Sequence, residues 1–196
     1  MSNPPRIAVT GVVIALNEAD RIARCVAALN AVCTRVVVLD SGSGDDTVAV
    51  ARAAGAEVVH QDWLGFAGQK NAAIAQAQTD WVLLLDADEW LQSDAITQLD
   101  AFLRSGRIES ADAWELPRRT IFLGRPLRHG GWGREWLPRL FRAGIRYRPD
   151  AVHERLDLDP AGGLVRDGAH ARHDRRLDRL EAQEAQALLA LDDRAD

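Results

Sequence analysis

Cysteine, lysine, methionine and tyrosine are nearly absent from this 196-residue chain, which contains two, one, one and one of them. Two cysteines, Cys25 and Cys33, make neither a structural zinc site nor a disulfide framework, so a reducing cytosol is the expectation. Any metal is then expected to be a hard cation held by carboxylates and at most a histidine. Long apolar runs are also missing. The longest near-continuous one, Ile7 to Leu16, has ten residues and is interrupted by Thr10 and Gly11. A bilayer-spanning helix needs about 20. The opening Met-Ser-Asn-Pro-Pro-Arg lacks the basic-then-apolar layout of a secretory signal. What is present is a chain 47% hydrophobic and 27% charged, which can bury a sizeable core and is too apolar for wholesale disorder.

Positive charge is unevenly spread. Residues 1–103 carry six basic and 13 acidic side chains, 104–148 carry 11 and four, and 149–196 carry seven and 12, so a segment of +7 lies between segments of −7 and −5. Such a stripe suits an anionic membrane surface or a phosphorylated substrate. Net acidity and the lack of an aromatic-basic stripe exclude nucleic acid as the expected partner. Because 23 of the 24 basic residues are arginine, compositional bias accounts for part of the stripe.

The first hundred residues alternate between two periodicities. Ile7 to Leu16, Arg35 to Leu39, Glu57 to His60 and Trp81 to Leu85 read as strands; Arg21 to Leu29, Thr47 to Ala54 and Gln69 to Gln78 read as helices, the first capped by Asn17 with Asp20 three residues on. This rhythm predicts an α/β fold with a mainly parallel central sheet, Rossmann-like, covered by helices on both faces. A further helix, Ser93 to Leu103, precedes short strands at Ala113 to Leu116, Thr120 to Leu123, Leu137 to Phe141 and Ile145 to Arg148, a smaller mixed-strand half with a Gly-rich loop at Gly130, Gly131 and Gly133. The expected divisions are 1–103 for the parallel α/β half, which the resemblance given below makes the nucleotide-sugar half, 104–174 for the mixed-strand half, which it makes the acceptor side, and 175–196 for a C-terminal helix with a frayed tail.

Ligands of open α/β sheets gather beyond the carboxyl ends of the strands, and here those ends are acidic: Asn17-Glu18, Asp40 to Thr47, and Asp86-Ala87-Asp88-Glu89. Three acidic strand ends on one edge repel one another unless a cation or a hydroxyl-rich ligand lies between them. Asp86 and Asp88 in extended chain would face the same side, one holding a divalent cation while the other accepts from a ribose or metal-bound water. Asp40 at its strand end suits the imide N–H of a uracil or a ribose hydroxyl, whereas Ser43 or Asp45 suffices to cap the following helix.

The runs Val-Val-Ile-Ala-Leu-Asn-Glu, Val-Val-Val-Leu-Asp-Ser-Gly-Ser-Gly-Asp-Asp-Thr, Gly-Gln-Lys-Asn-Ala-Ala and Asp-Trp-Val-Leu-Leu-Leu-Asp-Ala-Asp-Glu-Trp together resemble family 2 glycosyltransferases. They are most similar to the branch with lipopolysaccharide core β-glucosyltransferases, as are Phe-Leu-Gly-Arg, Gly-Gly-Trp, Pro-Arg-Leu-Phe-Arg and Val-His-Glu further on, the likeness covering roughly residues 8–180. The resemblance implies a GT-A fold and inverting transfer of a hexose from a nucleotide sugar, UDP-hexose, to a glycan or lipid-linked glycan acceptor. It implies Asp40 at the base, Asp86 at the ribose, Asp88 at a Mg²⁺ or Mn²⁺ bridging the diphosphate, Lys70 and Asn71 near the nucleotide, and His170 at the metal or phosphate. Asn17, Glu18, Gly131, Trp132 and Arg139 complete the implied substrate-binding set. Glu154 is the expected general base, with Asp150 in reserve. The place expected is the cytoplasm, with peripheral contact at the inner membrane, and the basic segment with Arg118, Arg119, Arg125, Arg128, Arg139 and Arg142 is expected to contact the donor diphosphate or anionic core sugars. Members of the branch continue further, so a truncated, non-catalytic nucleotide-sugar-binding module is the alternative. A haloacid-type phosphatase needs its Asp-x-Asp on the first strand followed by Gly-Thr, and a nucleotidyltransferase needs a Gly-rich basic loop where Asn17-Glu18-Ala19-Asp20 stands; both fit poorly.

Overall fold

The computed structural model describes residues 5–122, 125–126, 135–148, 155–158 and 189–193. These fall into two units, one of Ala8–Trp90 with Phe141–Asp157 and the other of Met1–Ile7, Leu91–Leu140 and Leu158–Asp196. The division expected at residue 103 instead falls within a helix.

The first unit begins with β1 (Val9–Ala15), α1 (Ile22–Val32), β2 (Arg35–Asp40), α2 (Thr47–Ala53), β3 (Glu57–His60), α3 (Phe66–Ile74), β4 (Trp81–Leu84) and the two-residue β5 (Glu89–Trp90). The first four strands pair in parallel in the order β3-β2-β1-β4. Val12, Val13, Val37, Val38 and Leu83 are wholly enclosed, which is why these segments read as continuous apolar runs. Steps from β1 to β2 and from β2 to β3 proceed in one direction across the sheet, so right-handed crossovers put α1 and α2 on one face. The step from β3 back to β4 reverses direction, which puts α3 on the other. The reversal makes a switch point between β1 and β4, and the loops after these two strands flank it. Register aligns the strand ends: Ala15 is opposite Asp40, and Asp40 opposite His60.

Three helix boundaries differ from expectation. Helix α1 has Arg21 at its N-cap position with no side-chain cap, while the Glu18 carbonyl accepts from the amides of Arg21 and Ile22. Asn17 is used elsewhere, as described below. Helix α3 starts at Phe66, behind Gly65 at φ 78°, and stops at Ile74, where Gln76 and Ala77 turn to three-residue hydrogen bonds. The exposed Phe66 hid its first turn from an apolar periodicity. Helix α2 starts at Thr47 as expected and stops one residue early, at Ala53; of the two expected capping residues it is Asp45 whose Oδ1 accepts from the Thr47 amide, at 3.0 Å.

The second unit contains α4 (Ser93–Ser105), which buries Ala95, Leu99, Phe102 and Leu103 and ends at the left-handed Gly106. A 3₁₀ turn at Arg107–Ser110 follows, and the Trp114 indole donates to the Ile108 carbonyl at 3.1 Å. Next come β6 (Ala113–Phe122), β7 (Arg125–Pro126) and β8 (Glu135–Arg142), whose last two residues belong to the first unit. Strand β6 is one element where two were expected. It is joined antiparallel by β7, confirming the mixed character of this half. The first unit closes with β9 (Tyr147–Arg148) and β10 (Arg155–Leu156), an antiparallel pair. Last is β11 (Leu189–Asp193), parallel to β6, with Leu189 opposite Arg118 and Asp193 opposite Phe122. A helix was expected there. Leu-Ala-Leu-Asp-Asp carries good helix formers, and pairing along β6 overrides that weak local preference. The remainder of the expected C-terminal helix lies outside the described residues.

Candidate active site

The loops after β1 and β2 are stitched to each other. Asn17 adopts φ 57°, a left-handed conformation open to asparagine, and its Oδ1 accepts from the Gly44 amide at 2.8 Å. Its amide donates to Ser43 Oγ at 2.9 Å, the Glu18 amide to Thr47 Oγ1 at 2.7 Å, and the Ala19 amide to Asp45 Oδ2 at 3.2 Å. Asp40 is 3% exposed and organises its own loop: Oδ2 accepts from the amides of Gly42 and Ser43, and Oδ1 from Ser43 Oγ at 2.5 Å. Three of roughly four acceptor positions on that carboxylate are thus used.

After β4 the chain does not remain extended. The Glu89 amide donates to the Asp86 carbonyl at 2.9 Å, closing a four-residue turn. Asp86 and Asp88 are half-buried, while Ala87 and Glu89 are buried, so it is the two aspartates that remain partly accessible in this turn. Glu89 Oε2 accepts from the Asp86 amide at 3.2 Å, and Cys25 Sγ of α1 donates to the Asp86 carbonyl at 3.5 Å. Glu18 is held above the usual carboxylate range by desolvation first, then by the charges of Asp88 and Asp45, with Arg21 opposing. The acidic ends of β1 and β4 therefore meet electrostatically at the switch point.

Helix α3 presents three consecutive polar side chains to three neighbours. Gln69, fully buried, donates to Ser41 Oγ at 2.9 Å and to the Gln61 carbonyl at 3.0 Å. Lys70 places its ammonium 3.5 Å from Asp86 Oδ1 and 5.4 Å from the centre of the Tyr147 ring. Asn71 exchanges two hydrogen bonds with the Tyr147 backbone, donating to its carbonyl at 2.9 Å and accepting from its amide at 2.7 Å. Asn71 is thus a brace between α3 and β9.

Asn17, Glu18, Asp40, Lys70, Asn71, Asp86 and Asp88 all lie in the first unit. Arg139 is buried in β8 in the second. Gly131, Trp132, Asp150, Glu154 and His170 lie outside the described residues. Of the basic segment, Arg118 pairs with Glu135, Arg142 lies over Trp81, Arg146 donates to two nearby carbonyls, and Arg148 pairs with Asp157. Sequence reading passed over Gln69 and Glu89 because amides and acids are seldom wholly buried. Glu89's place directly after the paired aspartates was the available signal.

Among the described residues no three His, Cys, Asp or Glu side chains gather into a ready-made metal cage. Half-buried carboxylates are nevertheless suitable donors for Mg²⁺ or Mn²⁺, which commonly take one or two of them and complete their shell with substrate phosphates and water.

Residues 10–155 match the family model described as glycosyl transferase family 2. The chain belongs to that family. An uncharacterized glycosyltransferase of Rickettsia felis is 39% identical over 97 residues, which cover 50% of this chain and 34% of the relative. Within family 2, the lipopolysaccharide core biosynthesis glycosyltransferase LpsC of Rhizobium meliloti is 30% identical over 125 residues, 61% of this chain and 45% of that one. The chain thus spans less than half the length of these curated relatives. Among solved structures, S. aureus TarS 1-349 superposes with a TM-score of 0.55 at 16% identity, over 72% of this chain and 50% of that chain, which shows a shared fold. That fold is the GT-A type, as the sequence resemblance implied.

Proposed function

We propose that this family 2 member is a metal-dependent, inverting glycosyltransferase. It moves a hexose from a UDP-hexose to a saccharide acceptor of the cell envelope, with the lipopolysaccharide core as first candidate because of the likeness to LpsC. The observation that carries the reading is the turn after β4. It leaves Asp86 and Asp88 partly accessible at the sheet's switch point, with the cation of Lys70 3.5 Å from Asp86.

In this mechanism Asp88, with Asp86 beside it, would hold the divalent cation, which when bound would neutralise charge building on the departing diphosphate. Lys70, 3.5 Å from Asp86, adds positive charge beside it. Asp40, with about one acceptor position to spare, takes a hydrogen bond from the base or ribose. Glu154, or Asp150 in its stead, removes the proton of the acceptor hydroxyl. A lipid-linked acceptor would bring the protein to the inner face of the membrane from the cytoplasm; among the described residues no helix is long and apolar enough to cross one.

Calorimetric titration with UDP, UDP-glucose, UDP-galactose and GDP-mannose, each with and without Mn²⁺, tests the reading. UDP binding is expected to strengthen with Mn²⁺ or Mg²⁺, and Asp88→Ala to abolish that dependence. Equal UDP affinity with and without metal in the parent protein would sink it.

A further inference from the structure

Glu89 is the acid for which this mechanism has no use, yet it is the least accessible of the four residues in its turn: its exposure is 0%. A carboxylate so enclosed is costly unless its acceptor positions are filled. One is filled in a specific way. Glu89 Oε2 reaches back to the Asp86 amide at 3.2 Å, and the Glu89 amide reaches forward to the Asp86 carbonyl at 2.9 Å. The reach of the fourth side chain back to the first amide is one half of a capping box, here combined with the backbone bond of a turn and followed by no helix. The closed ring contains Ala87, buried at 5% exposure, and Asp88, which it leaves accessible. From beneath, Cys25 Sγ meets the Asp86 carbonyl at 3.5 Å, and the Arg24 guanidinium lies 3.5 Å from the centre of the Trp90 ring. Helix α1 therefore grips both ends of a turn that Glu89 closes.

We propose that Glu89 is a positioning residue for metal-dependent donor binding: through the Asp86 backbone it holds the turn in the one shape that presents the Asp86 and Asp88 carboxylates together. It touches neither donor nor cation. The inference rests on the proposed donor site. Two features of it follow from the geometry. The required property is a hydrogen-bond acceptor at the end of a side chain of this length, so glutamine replaces glutamate. What is lost without the acceptor is the fixed spacing of two carboxylates, which a bound cation demands far more strictly than a uracil or ribose bound at Asp40 does.

The test compares Glu89→Gln and Glu89→Ala with the parent protein in two measurements. Calorimetry reads UDP affinity without metal and across a Mn²⁺ series. Hydrogen exchange reads protection of the Asp86–Glu89 amides. Glu89→Gln is expected to match the parent in both. Glu89→Ala is expected to need about tenfold or more Mn²⁺ for half-maximal strengthening of UDP binding, to keep metal-free UDP affinity within about twofold, and to lose protection at the Asp86 amide. Glu89→Ala with an unchanged Mn²⁺ requirement overturns the inference, as does Glu89→Gln as defective as alanine, and as does an equal loss of affinity with and without metal. Should Glu89→Ala not fold, Glu89→Gln decides through its Mn²⁺ requirement. A parent protein whose UDP binding ignores metal shows the donor reading itself to be wrong and removes the role with it, whereas a metal-responsive parent with an unaffected Glu89→Ala variant faults the role alone.

Discussion

Glu18 shows how single residues carry the electrostatics of the sheet edge. It is partly desolvated and feels Asp88 and Asp45, and these effects outweigh Arg21, 3.6 Å away, so its folded pKa is raised. An acid with a raised folded pKa binds more protons folded than unfolded. Its protonated form favours the fold, and that advantage is lost as pH rises through the ordinary carboxylate value and then the raised one. Glu18→Gln removes the penalty. The variant is therefore expected to melt about 1–3 °C higher than the parent at pH 7, the difference shrinking toward zero below about pH 4; thermal denaturation in a pH series without divalent metal measures it. A gain that persists unchanged at low pH would mean that charge is not the cause. Sequence showed that the strand ends are acidic, but not that the penalty falls on Glu18, since that depends on how deeply each loop is enclosed.

Among elements, β1 and α1 pack closely at Gly11. A Cβ at Gly11 would stand 3.2 Å from Cys33 Sγ and 3.3 Å from two atoms of Leu29, so helix and strand approach closely because that position has no side chain. Gly11→Val offers better strand propensity and nowhere to place two methyl groups. Overpacking wins, and urea denaturation is expected to show a loss of about 1–3 kcal/mol; a neutral or stabilising result would contradict the close approach. The parallel rhythm was legible because β1, β2 and β4, buried on both faces, must be apolar throughout, and α1 and α4 because each lays an apolar stripe on the core. Other features depend on partners distant in sequence. The brace by which the Asn71 side chain matches the Tyr147 backbone joins residues 76 positions apart. Leu189–Asp193 read as helix, and its strand form exists only alongside β6. The turn after β4 read as extended chain, but it curls around Glu89 and leaves Asp86 and Asp88 half-buried.

At the scale of the whole molecule, single-displacement inversion requires a donor side and an acceptor side. The described residues supply elements of the first: acidic strand ends at the switch point, Lys70 beside Asp86, and a braced α3. An acceptor hydroxyl is a poor nucleophile at neutral pH, so a carboxylate must stand on the face opposite the leaving diphosphate. Asp86 and Asp88 are committed to the leaving-group side in the proposed mechanism and cannot also serve there. Glu154 and Asp150 belong to residues 149–154, which join β9 to β10, and the Asn71 brace on Tyr147 ties β9 to the helix that carries Lys70. The chain leading to both candidate bases is thus anchored to the donor side. Glu154→Gln is expected to retain UDP-sugar and metal binding by calorimetry while turnover with a saccharide acceptor falls by about two or more orders of magnitude, because only the proton-accepting group has been changed. Asp150→Asn should remain active in the same assay. Near-normal turnover in Glu154→Gln, together with an Asp150→Asn variant that binds donor and does not turn over, would transfer the base role to Asp150. Loss of donor binding in Glu154→Gln would instead place that residue on the donor side and leave the acceptor hydroxyl in need of another base.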